Sequence, residues 1–123
     1  MVVELIILGN IPSKKNQRRL MVRGGRMINI PSKNYMQWHE EAWWQIKKRK
    51  IQPMEGRLSI EVKIWYKDNR RKDADNAYTS ISDLLCDAGV IPDDNWQTLS
   101  DIHIVSMGVD KENPRAEIKI KNC

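Results

Sequence analysis

The sequence predicts a small α+β domain in which a mixed β-sheet is packed by two α-helices. The chain has 123 residues, which is the size of one domain. Several segments have the patterns of β-strands, and two others have apolar residues at helical spacing. The range 1–123 contains no repeat, linker or low-complexity segment, so we treat it as a single domain.

The N-terminal part begins with a predicted strand at Val2–Leu8, which is mostly apolar. The segment GNIPSKKNQRR follows and predicts a loop, because Gly, Asn, Pro and Ser favour turns. This loop carries the basic residues Lys14, Lys15, Arg18 and Arg19. The next residues, LMVRGGRMINI, predict a β-hairpin that turns at the two adjacent glycines.

A first helix is predicted from residue 33 to about residue 50, with Ser32 as its N-cap. The apolar residues at helical spacing in this segment are Tyr35, Trp38, Ala42 and Ile46. After it, LSIEVKIWY alternates between apolar and polar residues. This alternation predicts a strand with one buried face.

A second helix is predicted from about residue 76 to residue 88, ending before Gly89, because glycine is favourable just beyond a helix end. Its apolar face consists of Ala77, Ile81, Leu84, Leu85 and Ala88. Two strands, IHIVSM and AEIKIK, then flank the turn-rich segment GVDKENPR. This arrangement predicts a closing β-hairpin at the end of the chain.

Charge is distributed unevenly along the chain. Seventeen of the 21 Lys and Arg residues fall between Lys14 and Lys72, and none occurs between Asp73 and Asp110. The basic part is suited to a polyanion such as DNA, and the acidic segment is suited to a hard metal ion. Two solvated charged faces would explain the same composition.

Composition also gives expectations about the compartment. Cys86 and Cys123 match neither a metal-binding spacing nor a disulfide framework, which favours a reducing compartment. The apolar run at the start of the chain is too short for a membrane span and is interrupted by Glu4. We therefore expect a cytoplasmic protein that does not cross a membrane.

The stretch RRKDADN, residues 70–76, lies in the predicted joint between a strand and the second helix. An aspartate at a helix start can cap free backbone N–H groups, which would explain either Asp73 or Asp75 alone. Two adjacent carboxylates, with a third acidic element at residues 92–94, also suit a divalent cation. Oxygen ligands without suitably spaced His or Cys point to Mg²⁺ or Mn²⁺.

The distance along the chain leaves the position of Asp94 open. A helix over residues 76–88 is roughly 20 Å long, and the six residues 89–94 span at most about 20 Å. Either this segment runs nearly straight back along the helix, or Asp94 meets the pair partway along it, or a second subunit donates it. The sequence does not choose among the three.

The segment KDADNAYTSISDLLCDAGVIPDD resembles the signature of the RusA family of Holliday-junction resolvases, in which D-x-D-N is followed by a helix, A-G, a few apolar residues and D-D. The basic loop and the chain length fit more loosely. The resemblance implies a RusA-like fold and a small homodimeric endodeoxyribonuclease of bacterial or prophage origin. Such an enzyme acts in DNA recombination and repair, and cuts four-way DNA junctions symmetrically with Mg²⁺ or Mn²⁺.

The resemblance also implies roles for individual residues. Asp73, Asp75 and Asp94 match the catalytic, metal-binding carboxylates, and Asp93 would join them as a fourth acidic ligand. The sequence departs from the family where its members have a lysine, because Thr79 stands there. Threonine supplies no positive charge to a transition state, so another cation must replace the lysine if the enzyme is active.

Lys72, immediately before the first carboxylate, is our first choice for that cation. The other candidates are Arg70 and Arg71, with Lys14, Lys15 and Arg18 if the first loop folds over the site. Any one of them could instead contact phosphate without a catalytic role. We expect DNA phosphates to bind Lys14, Lys15, Arg18, Arg19, Arg70 and Arg71.

Two other interpretations remain open. One is a DNA-binding module that has lost turnover, marked by Thr79, and the other is a small basic domain that uses its aspartates only as helix caps.

Trp38 and one of Trp43 and Trp44 are expected in the core or a dimer interface. For Trp96, beside the acidic pair, packing is favoured over stacking on an unpaired base.

Overall fold

The computed structural model describes residues 1–13, 18–70 and 72–123, with the side chains of residues 18–23 and 26–31 outside that description. The described elements follow one another as β1 Val2–Leu8, β2 Arg18–Arg23, β3 Arg26–Pro31, α1 Lys33–Lys47, β4 Leu58–Tyr66, α2 Ala74–Asp87, β5 Leu99–Val109 and β6 Arg115–Asn122. No helix in these ranges is long and apolar enough to span a membrane.

Four of the strands form one mixed sheet in the order β1-β6-β4-β5. Strand β6 runs antiparallel to both β1 and β4, whereas β4 and β5 are parallel. Strands β2 and β3 form a separate two-stranded hairpin. Together with the two helices, this sheet confirms the predicted α+β class.

The core lies between one face of the four-stranded sheet and the two helices. On β4, the alternating apolar residues are fully buried, and the four predicted apolar residues of α1 are buried as well. The five predicted apolar residues of α2, from Ala77 to Ala88, are also buried. The helical and strand periodicities therefore identified the core faces of these elements correctly.

The predicted closing hairpin is wrong. Strand β6 pairs with β4 and β1, so β4 lies between β5 and β6. The physical reason is the crossover through α2, which provides the length of chain that a parallel pair of strands requires. Strand β5 thereby becomes an exposed edge strand, whereas β6 buries Ala116, Ile118 and Ile120.

Several boundaries also differ from the prediction. Helix α1 ends at Lys47, and Lys50 has a positive φ of 51°, which is incompatible with a continuing helix. Helix α2 begins at Ala74, two residues earlier than expected. Arg18 and Arg19 belong to β2, where they pair with Pro31 and Ile30, so they are not part of the first loop.

Candidate active site

The candidate site is built on the joint between β4 and α2. Asp73 occupies the N-cap position of α2 with an extended backbone, φ −89° and ψ 125°, but its side chain accepts no capping hydrogen bond. Its carboxylate instead accepts a long hydrogen bond from Asn76 Nδ2 at 3.4 Å. Asn76 is 6% exposed, so a buried amide orients Asp73. Capping of the helix therefore does not explain this aspartate.

Asp75 lies in the first turn of α2 and is exposed. Its carboxylate forms neither a hydrogen bond nor an ion pair with any described residue, and the same holds for the carboxylate of Asp94. A carboxylate at a helix N-terminus is favoured by the helix dipole. Among the described residues, neither carboxylate has a partner that would occupy its oxygens, so both suit a ligand.

Asp93 is placed differently from its neighbour. Its Oδ1 accepts a hydrogen bond from the Asp94 backbone N–H at 2.7 Å, and its Oδ2 accepts one from Asn95 Nδ2 at 3.2 Å. Asn95 in turn accepts a hydrogen bond from the Thr98 N–H at 2.9 Å. Asp93 thus shapes the loop that carries Asp94, and both of its carboxylate oxygens already have partners.

The segment after α2 turns back along the helix. Gly89 has a φ of +76°, and the backbone N–H of Ile91 reaches the carbonyl of Leu85 at 3.5 Å. Burial, and secondly the negative charge of Asp94, raise the pKa of two side chains of α2, Tyr78 and Cys86. The chain therefore returns beside its own α2 at Ile91, but Asp94 does not meet Asp73 and Asp75 within the described residues, so none of the three arrangements that the sequence left open is established.

The predicted carboxylates do not form a closed cluster. Within the ranges 1–13, 18–70 and 72–123, no three His, Cys, Asp or Glu side chains are grouped closely enough to hold a metal ion. Asp73 and Asp75 both lie at the start of α2. Asp94 lies in the loop that follows the end of this helix. The structure thus provides a pair and a separate third carboxylate.

The cations beside this pair are ordered by Asp68. Arg70 donates to Asp68 Oδ2 through Nε at 3.1 Å and Nη2 at 2.9 Å, and Lys72 Nζ donates to Oδ1 at 2.9 Å. These hydrogen bonds, those from Arg70 first, hold the pKa of Asp68 well below its usual range. The Lys72 ammonium also lies 5.6 Å from the centre of the Tyr66 ring. Lys72 is therefore fixed immediately before Asp73.

Other predicted basic residues are described less fully. Lys14, Lys15 and Arg71 lie outside the described residues, and Arg18 and Arg19 are placed by their backbone alone. The beginning of the first loop is described, and it packs against the site. Asn10 Oδ1 accepts a hydrogen bond from the Lys67 N–H at 3.1 Å, and the Pro12 carbonyl accepts one from Ser80 Oγ at 2.6 Å.

Sequence reasoning missed the residues that support the site. Asp68 orders the cations, Asn76 orients Asp73, and Ser80 anchors the first loop. A signal for the last two was present, because Asn76 and Ser80 are polar residues four positions apart on the buried side of α2. A buried polar group needs a hydrogen-bond partner, so such positions indicate supporting contacts.

The structure also shows the positions of Thr79 and of the tryptophans named above. Thr79 is exposed, and its Oγ1 donates to the Asp75 carbonyl at 2.9 Å. The packing interpretation of Trp96 is wrong, because this side chain is 77% exposed in the loop after Asp94. Trp38 is buried as expected, and of the adjacent tryptophans Trp43 packs against the core whereas Trp44 is exposed.

Comparison with known proteins shows which family this chain resembles. The family model described as "Endodeoxyribonuclease RusA" matches residues 10–121. A curated relative from Aquifex aeolicus (strain VF5), named crossover junction endodeoxyribonuclease RusA, is 26% identical over 117 residues, which cover 94% of this chain and 89% of the relative. The family match includes the β4–α2 joint, all of α2 and the loop that carries Asp93 and Asp94.

Proposed function

The chain belongs to the endodeoxyribonuclease RusA family, and from this premise we propose that it is a metal-dependent enzyme that resolves four-way DNA junctions by paired, symmetric nicks. The main support from the structure is Asp73, a carboxylate at an N-cap position that makes no capping bond. The unbonded carboxylate of Asp75 follows it, and the ordered ammonium of Lys72 precedes it. Carboxylates and cations in this order suit phosphodiester hydrolysis.

The donor chemistry of the carboxylates suits a divalent metal ion, although in the described structure the third carboxylate lies apart from the pair. Asp73, Asp75 and Asp94 would hold Mg²⁺, or Mn²⁺ as a substitute, because hard cations prefer carboxylate oxygens. When bound, the metal would supply Lewis acidity toward the phosphate and lower the pKa of an attacking water. Asp93, whose oxygens are engaged in its own loop, would support Asp94 or join the site as an additional ligand.

The protein's own groups would do the remaining work. Charge builds up on the phosphate oxygens in the transition state, and the Lys72 ammonium is suited to stabilise it. Its hydrogen bond to Asp68 limits its movement, and its side chain is 25% exposed, so it keeps access to solvent and substrate. Asn76 would keep Asp73 oriented through the hydrogen bond to Oδ2. Arg70, at 74% exposed, suits a backbone phosphate of the DNA.

The substrate and assembly follow from symmetry and charge. We propose that two copies of the chain form a homodimer whose two sites match the two-fold symmetry of a junction. The exposed edge strand β5 supports this, because an unpaired edge with apolar side chains favours association. Its exposed apolar residues are Ile102, Val105, Met107 and Val109.

Basic residues of the first half of the chain would hold DNA phosphates. The activity would serve recombination and repair of bacterial or prophage DNA, and the protein would act in the cytoplasm.

The test is cleavage of a synthetic four-way junction and of a linear duplex of the same sequence, with Mg²⁺, with Mn²⁺ and with EDTA. We expect paired nicks in the junction that require the metal and that Asp75→Asn abolishes. Wild-type rates in Asp75→Asn would contradict the assignment of Asp75. An equal rate on the duplex would contradict the proposed preference for branched DNA.

A second candidate is a junction-binding module without turnover. It is favoured by Thr79, which stands where family members carry a lysine and whose hydroxyl is engaged with the Asp75 carbonyl. The same experiment separates the two candidates, because the module binds the junction tightly and cuts it with neither metal. In that case Thr79→Lys should restore cleavage, whereas in an active wild-type enzyme it should change the rate little.

A further inference from the structure

The end of α1 carries the longest run of cations in the sequence. Lys47, Lys48, Arg49 and Lys50 follow one another, and all four are exposed. We call residues 47–50 the basic turn. In the described parts of the chain, none of these four side chains forms a salt bridge with a carboxylate. Neighbouring cations without acidic partners repel one another, and a bound polyanion would relieve this repulsion.

The backbone of Lys50 is a second sign that these cations have a role outside the fold. Lys50 has a φ of 51°, and every other described residue with a positive φ is a glycine. Its N–H donates to the Lys47 carbonyl at 3.2 Å, so it closes the turn just after the helix. Glycine is the usual residue at such a position, because a side chain there costs free energy. A lysine at this position indicates that its ammonium group serves a ligand.

Contacts on two sides fix where the basic turn lies. On one side, Arg49 Nη1 donates a hydrogen bond to the carbonyl of Glu4 in β1. On the other side, a β-carbon added at Gly89 would lie 3.8 Å from Lys47 Nζ. Gly89 directly follows the C-terminal end of α2. The basic turn is therefore beside the end of α2, whereas the carboxylate pair is at its start.

The length of α2 gives the separation between the basic turn and the carboxylate pair. The helix has 14 residues, and at 1.5 Å per residue it is about 21 Å long. Duplex DNA carries one phosphate charge per about 1.7 Å of its axis, counting both strands, so this length corresponds to about six base pairs. A DNA arm that lies along the domain from Asp73 and Asp75 would reach the basic turn at that distance.

We propose that the basic turn binds backbone phosphates of a junction arm about six base pairs from the phosphate that is cleaved. The inference rests on the proposed function, because it takes a DNA junction as the substrate. It adds a contact outside residues 72–94, the segment that carries the family resemblance. This contact holds the arm and carries no sequence information, and it requires no metal ion.

Lys50→Gly separates a ligand-binding role from a structural one. Glycine suits the left-handed backbone, so the melting temperature in EDTA should be unchanged or higher. The same substitution removes one phosphate contact, so the slope of log affinity for DNA against log salt concentration should fall in magnitude by about 0.9. Lys50→Arg keeps the charge and should keep the wild-type slope. A lysine that only complements the helix dipole would lower the melting temperature when removed and leave DNA binding unchanged.

The arm length tests where the contact is made. Fluorescence anisotropy in EDTA compares four-way junctions with arms of about 15 base pairs and with hairpin-closed arms of about 5 base pairs, which end beyond and before the expected contact. For the double variant Lys48→Gln, Lys50→Gln, the salt slope on long arms should fall by about 1.8, or about 0.9 for each lysine. On short arms it should not change. Lys119→Gln is the control, because Lys119 is exposed on β6 between Glu4 and Glu61, and it should keep the wild-type slope.

The outcomes distinguish this contact from the proposed function. A wild-type salt slope in the double variant on long arms would overturn the contact, while cleavage of junctions by the wild type left the proposed function standing. An equal loss on short and long arms would also overturn it, because the turn would then attract any polyanion. An arm-dependent loss in a protein that cuts junctions with neither metal would support the contact and overturn the proposed cleavage. A protein that bound no DNA would overturn both.

Discussion

The two helices of this chain begin differently, although a good capping residue precedes each of them. Ser32 precedes α1, and its Oγ accepts a hydrogen bond from the backbone N–H of Tyr35 at 3.1 Å. Asp73 precedes α2 with a comparable extended backbone, but its carboxylate makes no such bond. Only α2 has an acidic residue in its first turn, Asp75.

The difference separates a side chain that stabilises the fold from one that is kept for a ligand. A serine or an aspartate at an N-cap normally satisfies a free N–H group of the first turn. Asp73 departs from this behaviour, because its carboxylate accepts a hydrogen bond only from the Asn76 side chain among the described residues. It is preceded by Lys72, whose ammonium is ordered by Asp68. Two good capping residues at the same helical position thus have different roles, and their hydrogen bonds distinguish these roles.

The most severe test of this comparison is Asp73→Ser. Serine is a good N-cap but a poor ligand for a hard cation, so the variant gives α2 the kind of start that α1 has. We expect junction cleavage to fall by roughly 100- to 1,000-fold, the scale of losing a preorganised electrostatic group. The free energy of unfolding without metal should stay the same or rise. Cleavage assays and urea unfolding in EDTA measure the two quantities.

The control is the reciprocal exchange Ser32→Asp, which should leave both cleavage and stability close to those of the wild type. If Asp73→Ser unfolded the protein, or if it cut junctions at the wild-type rate, the contrast between the two helix starts would be lost.

Lys72 extends the comparison from the carboxylates to the cation beside them. We expect Lys72→Met to lower the cleavage rate about 100-fold at saturating junction concentration, because the ammonium would act on charge that develops in the transition state. Arg70→Met is the matched variant, since both cations bind Asp68 but Arg70 is far more exposed. Arg70→Met should chiefly weaken DNA binding and reduce its salt dependence. Equal effects of both variants on the maximal rate would remove the special role of Lys72.

Ser32→Ala measures how much the capping hydrogen bond at the start of α1 stabilises the fold. Loss of this cap should lower the free energy of unfolding by about 1 kcal/mol, and the melting temperature by about 3–6 °C. Junction cleavage at a temperature well below melting should not change. Ser32→Thr, which can still accept the hydrogen bond, serves as the control. A cleavage defect in Ser32→Ala would show that the start of α1 also acts on the site.

The local features of this fold could be predicted from the sequence, and the tertiary ones could not. The buried face of α1 followed from 3.6-residue spacing after Ser32, and the buried face of β4 from strict alternation. The position of β5 in the sheet was missed, because alternation in its sequence predicts a strand but does not predict which strand it pairs with. The choice between β4 and β6 depends on the crossover through α2, which joins residues distant in sequence.

The same division holds in the candidate site. Asp73 and Asp75 were identifiable because they are adjacent in the chain, and Lys72 because it precedes them. The hydrogen bonds of Asp68 join residues two and four positions apart, but they depend on the conformation of the joint, which the sequence pattern does not specify. The burial of the Tyr78 hydroxyl depends on how side chains pack. The course of the chain beyond Gly89 was open until the backbone contact between Ile91 and Leu85 placed Ile91 beside α2.

The smallest expected effect concerns what stabilises the start of α2 in place of a cap. Asp68 accepts hydrogen bonds from Arg70 and Lys72, and these keep its pKa below the usual range. A carboxylate with a lowered pKa in the folded state stabilises the fold at every pH above its unfolded value, and this contribution is lost as the pH falls through the lowered pKa. The joint before α2 would then be stabilised by this cluster instead of by Asp73.

Asp68→Asn tests this by urea unfolding across pH. The difference in unfolding free energy between wild type and variant should be constant from about pH 7 to about pH 5, and should shrink as the pH falls below about 4. Asp101→Asn is a suitable control, because it removes the charge of an exposed carboxylate on β5, paired with His103 at 3.0 Å and outside the joint before α2. If the Asp68→Asn difference persisted undiminished in acid, the ionised carboxylate would not be the stabilising group, and the uncapped start of α2 would need another explanation.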